Sequence, residues 1–290
     1  MIGIAVLGGV IAALTSADCR DCHPRQAAAL DGARHVRAAE LAIFRAPLAR
    51  AATRWCLGCH RPEGRPTAGL DCLSCHRVPG DATAVLAALP ASAGARSAHE
   101  VVVEPGLARD ACARCHDFAT PLPGHLDPVV YSAQPLQATA RELRAAFPDA
   151  RCQACHDPHR PRGAHDPDTL RSAVAFSVRT DDGGVAIEVK ARGVGHRFPT
   201  GDPFRRLVVS VCDDAACVSP TARQTIGRGF GLVGGVWAPI TDSTLADGET
   251  RVLRFPPAAY WRAEFRYGDP AFEAQLPPDE VSIVLAGGPL

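Results

Sequence analysis

Methionine and lysine are almost missing from this chain of 290 residues. Met1 and Lys190 are the sole examples, so neither a thioether sulfur nor an amine can serve as a repeated metal ligand. Aromatic residues are also few, with 10 Phe, 3 Trp and 3 Tyr, although 47% of the residues are hydrophobic. The chain can bury a core, but we expect another source of flat apolar bulk.

An excess of charge of either sign is also missing, since 31 basic residues balance 31 acidic ones. This balance excludes the basic footprint of a nucleic-acid-binding protein and a polybasic membrane patch. The apolar run at residues 2–14 is too short to span a bilayer, so we predict no transmembrane helix. Small residues at 15–17 follow it, and we interpret residues 1–17 as a signal peptide, although no Lys or Arg precedes the run.

Cysteine is abundant, with 12 residues, and ten of them form five Cys-x-x-Cys-His motifs. Two thiols at this spacing can add to the two vinyl groups of a haem, and the histidine that follows is placed to bind the iron. Zinc and iron–sulfur sites also use Cys-x-x-Cys pairs but do not need a histidine after each one. We therefore predict five covalently bound c-type haems at Cys19, Cys22 and His23; Cys56, Cys59 and His60; Cys72, Cys75 and His76; Cys112, Cys115 and His116; and Cys152, Cys155 and His156.

The second axial ligand of each iron is predicted to be histidine. Methionine ligation is excluded because Met1 lies in the predicted signal peptide, and the single lysine argues against the lysine-ligated haem of pentahaem nitrite reductases. Six histidines lie outside the motifs, and five haems need at most five of them. We predict ligation by four of these, and leave two as competitors for the fifth place: His35, His99, His165 and His196, then His125 or His159.

The composition changes near residue 168. Segments 26–44 and 137–147 are rich in helix-forming residues, and segments 61–69 and 118–128 are rich in Pro and Gly and predict loops. Beyond this point alternating apolar residues predict a hairpin at 174–189 with a turn at 181–184, and further strands at 207–212, 250–255 and 281–285. We predict an α+β protein, with a mostly helical and loop pentahaem domain at 18–168 whose core is filled by haems, and an antiparallel β-sandwich at 169–290.

Two cysteines remain outside the motifs. Cys212 and Cys217 flank a predicted turn, and the compartment in which c-type haems are attached is oxidising. We therefore predict a disulfide between them, with two buried free thiols as the alternative. The loop that carries His196 has glycines at 193 and 195, which permit close backbone approach, so it could reach back from the β-domain to a haem and fasten the two domains.

The order of motifs resembles the large family of multihaem cytochromes related to the tetrahaem electron carrier and the hydroxylamine oxidoreductase of ammonia oxidation. The similarity lies in the first motif with His35 after it, the closely spaced second and third motifs with Gly69-Leu-Asp before Cys72, and residues 136–139. The segments Gly195-His196-Arg-Phe-Pro-Thr-Gly201 and Thr241-Asp-Ser-Thr-Leu245 resemble the β-domain of some members. Enzymes of the family carry an accessible haem with added catalytic groups, and no such signature is matched here.

Electron transfer is the leading functional hypothesis, because spare histidines can saturate the irons and leave no place for substrate. The alternative is a reductase or oxidase of a small nitrogen or sulfur species at one five-coordinate haem. A third hypothesis makes the β-domain a module for docking, oligomerisation or filament formation. We expect export to the periplasm or cell surface, and redox proteins or an extracellular electron acceptor as partners.

Overall fold

The computed structural model describes residues 13–50, 54–62, 69–90, 98–119, 135–233 and 236–290. Most of the predicted signal peptide at 1–17 and most of the predicted loops at 61–69 and 118–128 lie outside these ranges. None of the described helices combines the length and the apolar character needed to cross a bilayer.

Short helices dominate the first part of the chain. Thr15 and Asp71 cap two of them with capping boxes, in which side chain and backbone satisfy each other across three residues. These helices are α1 (Ser16–Cys22), α2 (Pro24–Asp31), α3 (Ala42–Arg50), α4 (Arg54–His60), α5 (Cys72–His76), α6 (Leu107–His116) and α7 (Thr139–Ala146), with 3-10 helices at Arg34–Arg37 and Cys152–Ala154.

The helix predicted at 137–147 is confirmed as α7, but the prediction of one helix at 26–44 is wrong. The segment forms α2, a 3-10 turn and the start of α3. Gly32 is the C-cap of α2, and its low helix propensity favours the end of the helix there. A contact from elsewhere in the chain then interrupts the helical pattern, because the amide of Leu70 donates a 2.8 Å hydrogen bond to the carbonyl of His35.

Two small sheets in the same region were not predicted. The larger one pairs β2 with β1 in antiparallel and with β3 in parallel fashion. Ala is frequent in β2, and β3 contains the continuous run Val101–Val103, so neither strand has the regular alternation that indicates a half-buried strand. The strands are β1 (Arg77–Val78), β2 (Asp81–Ala87) and β3 (Glu100–Val103), followed by the pair β4 (Phe118–Ala119) and β5 (Pro135–Gln137).

The rest of the chain is mainly antiparallel β-structure, and the α+β class is confirmed. Helix α8 (Pro167–Ala173) crosses the predicted domain boundary, with Asp166 as its N-cap. The strands are β6 (Val174–Asp181), β7 (Gly184–Ala191), β8 (Arg206–Cys212), β9 (Ala222–Val233), β10 (Val236–Asp242), β11 (Thr250–Phe255), β12 (Tyr260–Arg266) and β13 (Ser282–Pro289), with a 3-10 helix at Pro270–Gln275 and α9 (Pro278–Val281) before β13.

These strands form two sheets around one hydrophobic cluster. One sheet has the order β10-β9-β8-β12-β13 and the other β11-β7-β6, and the predicted hairpin is β6 paired with β7. Ile187 and Val189 of one sheet and Val209 and Phe265 of the other are at most 1% exposed and belong to the same cluster. The predicted disulfide between Cys212 and Cys217 is present, with a Cα–Cα distance of 5.3 Å.

Candidate haem-binding sites

Helical geometry gathers the reactive side chains of each motif. Residues three and four positions apart lie on the same face of a helix, so both thiols and the following histidine point to one side. Four motifs lie on α1, α4, α5 and α6, and His23 directly follows the first of these. The fifth motif starts with the 3-10 turn Cys152–Ala154, which also brings residues three apart together.

Three motif histidines face a histidine from outside the motifs. The ring centres of His23 and His99 are 6.4 Å apart, and those of His35 and His116 are 6.2 Å apart. His76 and His159 are 6.3 Å apart, with rings within 3° of parallel. Of the two competitors for the fifth place, the structure therefore brings His159 to a motif, whereas His125 lies outside the described residues.

This separation has a simple chemical meaning. Two imidazoles that bind one iron from opposite faces need metal–nitrogen bonds of about 2 Å each, and each ring centre lies roughly 1 Å beyond its nitrogen, so the ring centres stand about 6 Å apart. Direct ring stacking would be much closer. The three pairs thus leave the gap that an iron atom and a flat macrocycle would fill.

His156 and His196 are near enough to interact electrostatically. Burial is the main reason why the pKa of His196 is lowered, and His156 is close enough to lower it further. The loop before and after His196 is fixed at Phe198, which exchanges two backbone hydrogen bonds with Leu245. Gly195 has φ +56° and lies against helix α7, where a Cβ would come within 3.3 Å of Leu143. The structure thus brings this loop to helix α7, and the role of His196 in capping a haem stays a prediction.

His60 and His165 have different surroundings. In the described part of the chain, the ring that lies against His60 belongs to Phe44, stacked at 3.8 Å and 11°. His165 stacks on Tyr267 at 4.1 Å, and burial together with Arg205 and Arg34 lowers its pKa to about 2. His165 is therefore not placed opposite a motif histidine, and its predicted role as a ligand stays a prediction.

Backbone carbonyls determine which nitrogen of three histidine rings carries the proton. The Nδ1 atoms of His60, His76 and His196 lie 3.1, 2.8 and 3.0 Å from the carbonyl oxygens of Ala38, Leu86 and Arg197. A carbonyl only accepts, so Nδ1 must donate, and Nε2 is left to bind a metal. Burial also lowers the pKa of His35, His60 and His116, the last to about 4, which keeps these rings in the neutral form that ligates iron.

Arginine nitrogens without an acceptor test whether haems fit these positions. The buried Nε atoms of Arg34, Arg61 and Arg205 have no hydrogen-bond partner among the residues that the structure describes. Arg34 and Arg61 are next in sequence to His35 and His60, and Arg205 is close enough to His116 to lower its pKa. A buried donor without an acceptor is costly. The propionates of a haem would supply such acceptors, so these residues fit the group.

The grouping of possible ligands fits a macrocycle as well. Within the described ranges, no three or more His, Cys, Asp or Glu side chains gather where they could hold a metal ion. A structural zinc ion takes four protein ligands. Pairs of imidazoles and pairs of thiols instead suit a haem, in which the macrocycle supplies four nitrogen ligands to the iron.

Thiol contacts show which motifs are neighbours. The Cys19 thiol lies against Cys72, and its pKa is raised by burial and by that contact. Contact with Cys115 lowers the pKa of Cys59, and contact with Cys112 lowers that of Cys152. Cys75 lies near enough to raise the pKa values of Cys112 and Cys115. The fourth motif is therefore next to the second, third and fifth.

Sequence reasoning missed the polar residues that hold the loop of His196. The carboxylate of Glu142 on α7 accepts hydrogen bonds from Thr200 at 2.7 Å and from the amide of Arg197 at 3.3 Å. Arg197 Nε donates to the Thr244 hydroxyl at 2.6 Å. The two segments of the β-domain resemblance, 195–201 and 241–245, thus pack on each other, a proximity that their separation in sequence did not indicate.

Comparison with known proteins gives one likeness, which concerns the fold. The solved structure of a penta-heme cytochrome c552 from Thermochromatium tepidum superposes with a TM-score of 0.68 over 96% of this chain and 99% of that chain, at 20% sequence identity. No protein-family model matches, and no curated protein matches. The chain therefore shares its overall fold, from the motif-bearing helices to the β-sheets, with a cytochrome described as holding five haems.

Proposed function

We propose that the chain is an exported electron-transfer cytochrome with five covalently attached c-type haems, at least four of them held between two histidines. The observation that carries this proposal is the imidazole separation of 6.2–6.4 Å in three pairs, each joining a motif histidine to one from elsewhere. When bound, the haems supply one-electron redox chemistry. An iron with a histidine on each side has no free coordination position for a substrate, and this favours electron transfer over catalysis.

The proposed ligand pairs are His23 with His99, His116 with His35, His76 with His159, and His156 with His196. Each second ligand comes from a distant segment, so ligation would tie the chain together at several points. The fold likeness to a penta-heme cytochrome supports this assignment. For the haem at His60, the sequence-based candidates His165 and His125 remain.

The thiol contacts support a branched route for electrons. The first motif adjoins the third, the third adjoins the fourth, and both the second and the fifth adjoin the fourth. We propose that the haem at Cys112–His116 is the junction through which electrons pass between the others. The short sequence spacing of the second and third motifs implies that their haems are near neighbours, and the thiol contacts place the fourth motif next to both.

Export and partners follow from the chemistry of the chain. The disulfide Cys212–Cys217 fits the periplasm or the cell surface, which are oxidising. The propionates of five haems would give a near-neutral chain a negative surface. We propose redox proteins or an extracellular acceptor as partners, with binding that weakens as salt is added.

Ligand substitution tests the proposal on the haem-loaded protein. His99→Ala should open one iron, so the reduced variant should bind one more carbon monoxide per chain than the parent protein, with one more high-spin haem by electron paramagnetic resonance. His159→Ala should do the same at a second haem. Unchanged carbon monoxide binding and spin state in both variants would overturn the ligand assignment.

A second candidate function is reduction or oxidation of a small nitrogen or sulfur species at the His60 haem. The observation that favours it is the ring next to His60. In the described residues His60 stacks against Phe44, whereas three other motif histidines have an imidazole at about 6 Å. One haem of five would then be five-coordinate and accessible.

Carbon monoxide also decides between these functions. If the parent protein binds none after reduction, all five irons are saturated and the enzyme hypothesis fails. If it binds one equivalent and His165→Ala changes nothing, the open site favours the enzyme. If the parent binds none and His165→Ala gains one equivalent, His165 is the missing ligand.

The docking hypothesis for the β-domain gains one supporting feature. Residues 222–227 of β9 pair with β8, whereas residues 228–233 pair with β10. Val233 and Ile240 on this hairpin are 57% and 59% exposed, and exposed apolar residues on an edge strand favour association. Size measurement of the holo-protein at several concentrations tests this, since a monomer throughout would contradict it.

A further inference from the structure

A buried ion pair lies directly behind the loop that carries His196. Glu142 of α7 and Arg228 of β9 approach to 2.6 Å, and their side chains are only 10% and 15% exposed. The second carboxylate oxygen of Glu142 accepts from Thr200 and from the Arg197 amide, one residue from His196. The pair thus connects the helical region, the β-domain and a proposed iron ligand.

Other groups near the loop of His196 also hold it in place, but they are not a buried ion pair like Glu142 and Arg228. Thr139 of α7 hydrogen-bonds to Thr200 at 3.0 Å, next to Glu142. Arg228 also contacts Asp242 through Nε at 3.2 Å, but the Asp242 side chain is 43% exposed and its charge is better screened. Arg205 acts on His196 directly, whereas Arg228 is joined to this loop through Glu142. Glu142 is therefore the buried anion nearest this loop among the groups that act on it.

We propose that Glu142 and Arg228 are a positioning pair that sets both the placement of His196 and the reduction potential of the haem between His156 and His196. This inference rests on the proposed function, because it needs a haem at that place. The physical basis is that reduction removes one positive charge from the iron. A buried anion favours the oxidised state and a buried cation the reduced state, and both act strongly where water is excluded.

The signs of the two effects provide the test. Glu142→Gln keeps the shape, replaces one of the two accepting oxygens by a donating amide group, and leaves Arg228 unbalanced, so one of the five haem potentials should rise. Arg228→Gln leaves the Glu142 carboxylate unbalanced, so the same haem should shift to a lower potential. The double variant should return close to the parent value. Spectroelectrochemical titration of the holo-protein measures all three, and the other four haems should stay unchanged.

A matched control is available on β12. Glu264 is also poorly exposed, at 16%, and pairs with Arg262 at 2.8 Å and Arg266 at 3.2 Å. Its two arginine partners lie on the same strand as Glu264 itself. Glu264→Gln should leave all five potentials at the parent values.

The measured potentials distinguish an electrostatic effect of Glu142 and Arg228 on the haem from a purely structural role of the pair. Opposite shifts of one haem support the inference, whereas shifts of the same sign, shifts spread over all haems, or no shift overturn it. If Glu142→Gln does not fold, Arg228→Gln alone still predicts a lower potential. Failure of the proposed function would show separately, because His196→Ala would then not create an additional haem that binds carbon monoxide.

Discussion

The two parts of this chain bury their side chains in different ways. In the β-region, large residues such as Ile187, Leu207 and Phe265 are almost completely buried in one continuous cluster. In the described residues before α8, the buried hydrophobic residues are few, often small, and lie outside that cluster: Ala27, Ala33, Phe44, Leu73, Ala84, Leu86, Leu107 and Ala140.

The difference shows which region can fold by its own side chains. Burial of large apolar residues is the main favourable term in folding. The β-region has such a core, and the motif-bearing region has short helices around pairs of histidines and cysteines. We infer that the missing apolar material of the first region is haem, so its stability depends on a cofactor as in small metalloproteins.

The largest expected effect follows from withholding the haem. Full-length chain from a host without cytochrome maturation should lose protection against amide exchange in α4, α5 and α6, while β7, β8 and β12 stay protected. The reason is that each unfilled site leaves polar groups and a gap in place of a core. Mass spectrometry of exchange checks this against the holo-protein, and equal protection of both regions would contradict the comparison.

Truncation of the β-core should have a smaller and strictly regional effect. Phe265 is 1% exposed, and Phe265→Ala should lower the free energy of unfolding of the β-region by about 3–5 kcal/mol through lost burial and a cavity. Denaturation followed by β-sheet circular dichroism measures this, with the haem absorption as a second probe.

Val284 of β13 provides a matched control because it is 38% exposed. Val284→Ala should change the free energy of unfolding by about 0.5 kcal/mol or less. If Phe265→Ala instead moves the loss of the haem-ligand spectrum and the loss of the β-sheet signal to the same lower denaturant concentration, the two regions unfold as one unit, contrary to the comparison.

The disulfide should stabilise only the β-region, and by less than the core. It closes a short loop, with Cys212 1% exposed, and loop-closure entropy for so few residues amounts to about 2 kcal/mol. Cys212→Ala combined with Cys217→Ala should therefore lower the unfolding free energy of the β-region by about that amount. Chemical denaturation measures it, and reduction of the parent protein should reproduce the loss.

Sequence alone predicted most of the β-region because its signals are local. The alternation of Val174, Phe176 and Val178 and the glycine turn indicate a hairpin whatever surrounds it, and β6 and β7 have those bounds to within two residues. The cysteine pair around a turn similarly predicted the disulfide. Strand β9 was missed because glycines at 227, 229 and 231 interrupt its pattern, and β10 because it contains Pro239. Strand β12 was missed although its apolar and charged residues alternate as in a strand.

The motif-bearing region was less predictable because tertiary contacts decide it. Nothing local indicates that Gly69 passes so close to His35–Ala38 that a Cβ would clash with that backbone, yet this contact breaks the predicted helix at 26–44. The motifs were evident from spacing, whereas the partner of each motif histidine depends on segments far away in sequence. That is why His159 and His125 could not be separated, and why Glu142 was not recognised.

The smallest effect is expected from an ion pair on the surface of the motif-bearing region. Arg20 and Asp31 form two hydrogen bonds of 2.7 and 2.8 Å, but their side chains are 43% and 53% exposed. Asp31→Asn should change the unfolding free energy of the holo-protein by less than about 1 kcal/mol, because solvent and salt screen such pairs. If haem rather than surface charge stabilises this region, the loss stays small even at low salt.

The pH dependence of that small difference has a definite sign. The hydrogen bonds from Arg20 lower the pKa of Asp31 in the folded protein. The stabilisation is therefore present above the ordinary aspartate pKa of about 4 and is lost as the pH falls through the lowered value. Parent and variant should differ slightly at neutral pH and coincide in acid, as measured by denaturant midpoints. A difference that grows in acid, or that exceeds about 1 kcal/mol at neutral pH, would contradict the small contribution expected of this surface pair.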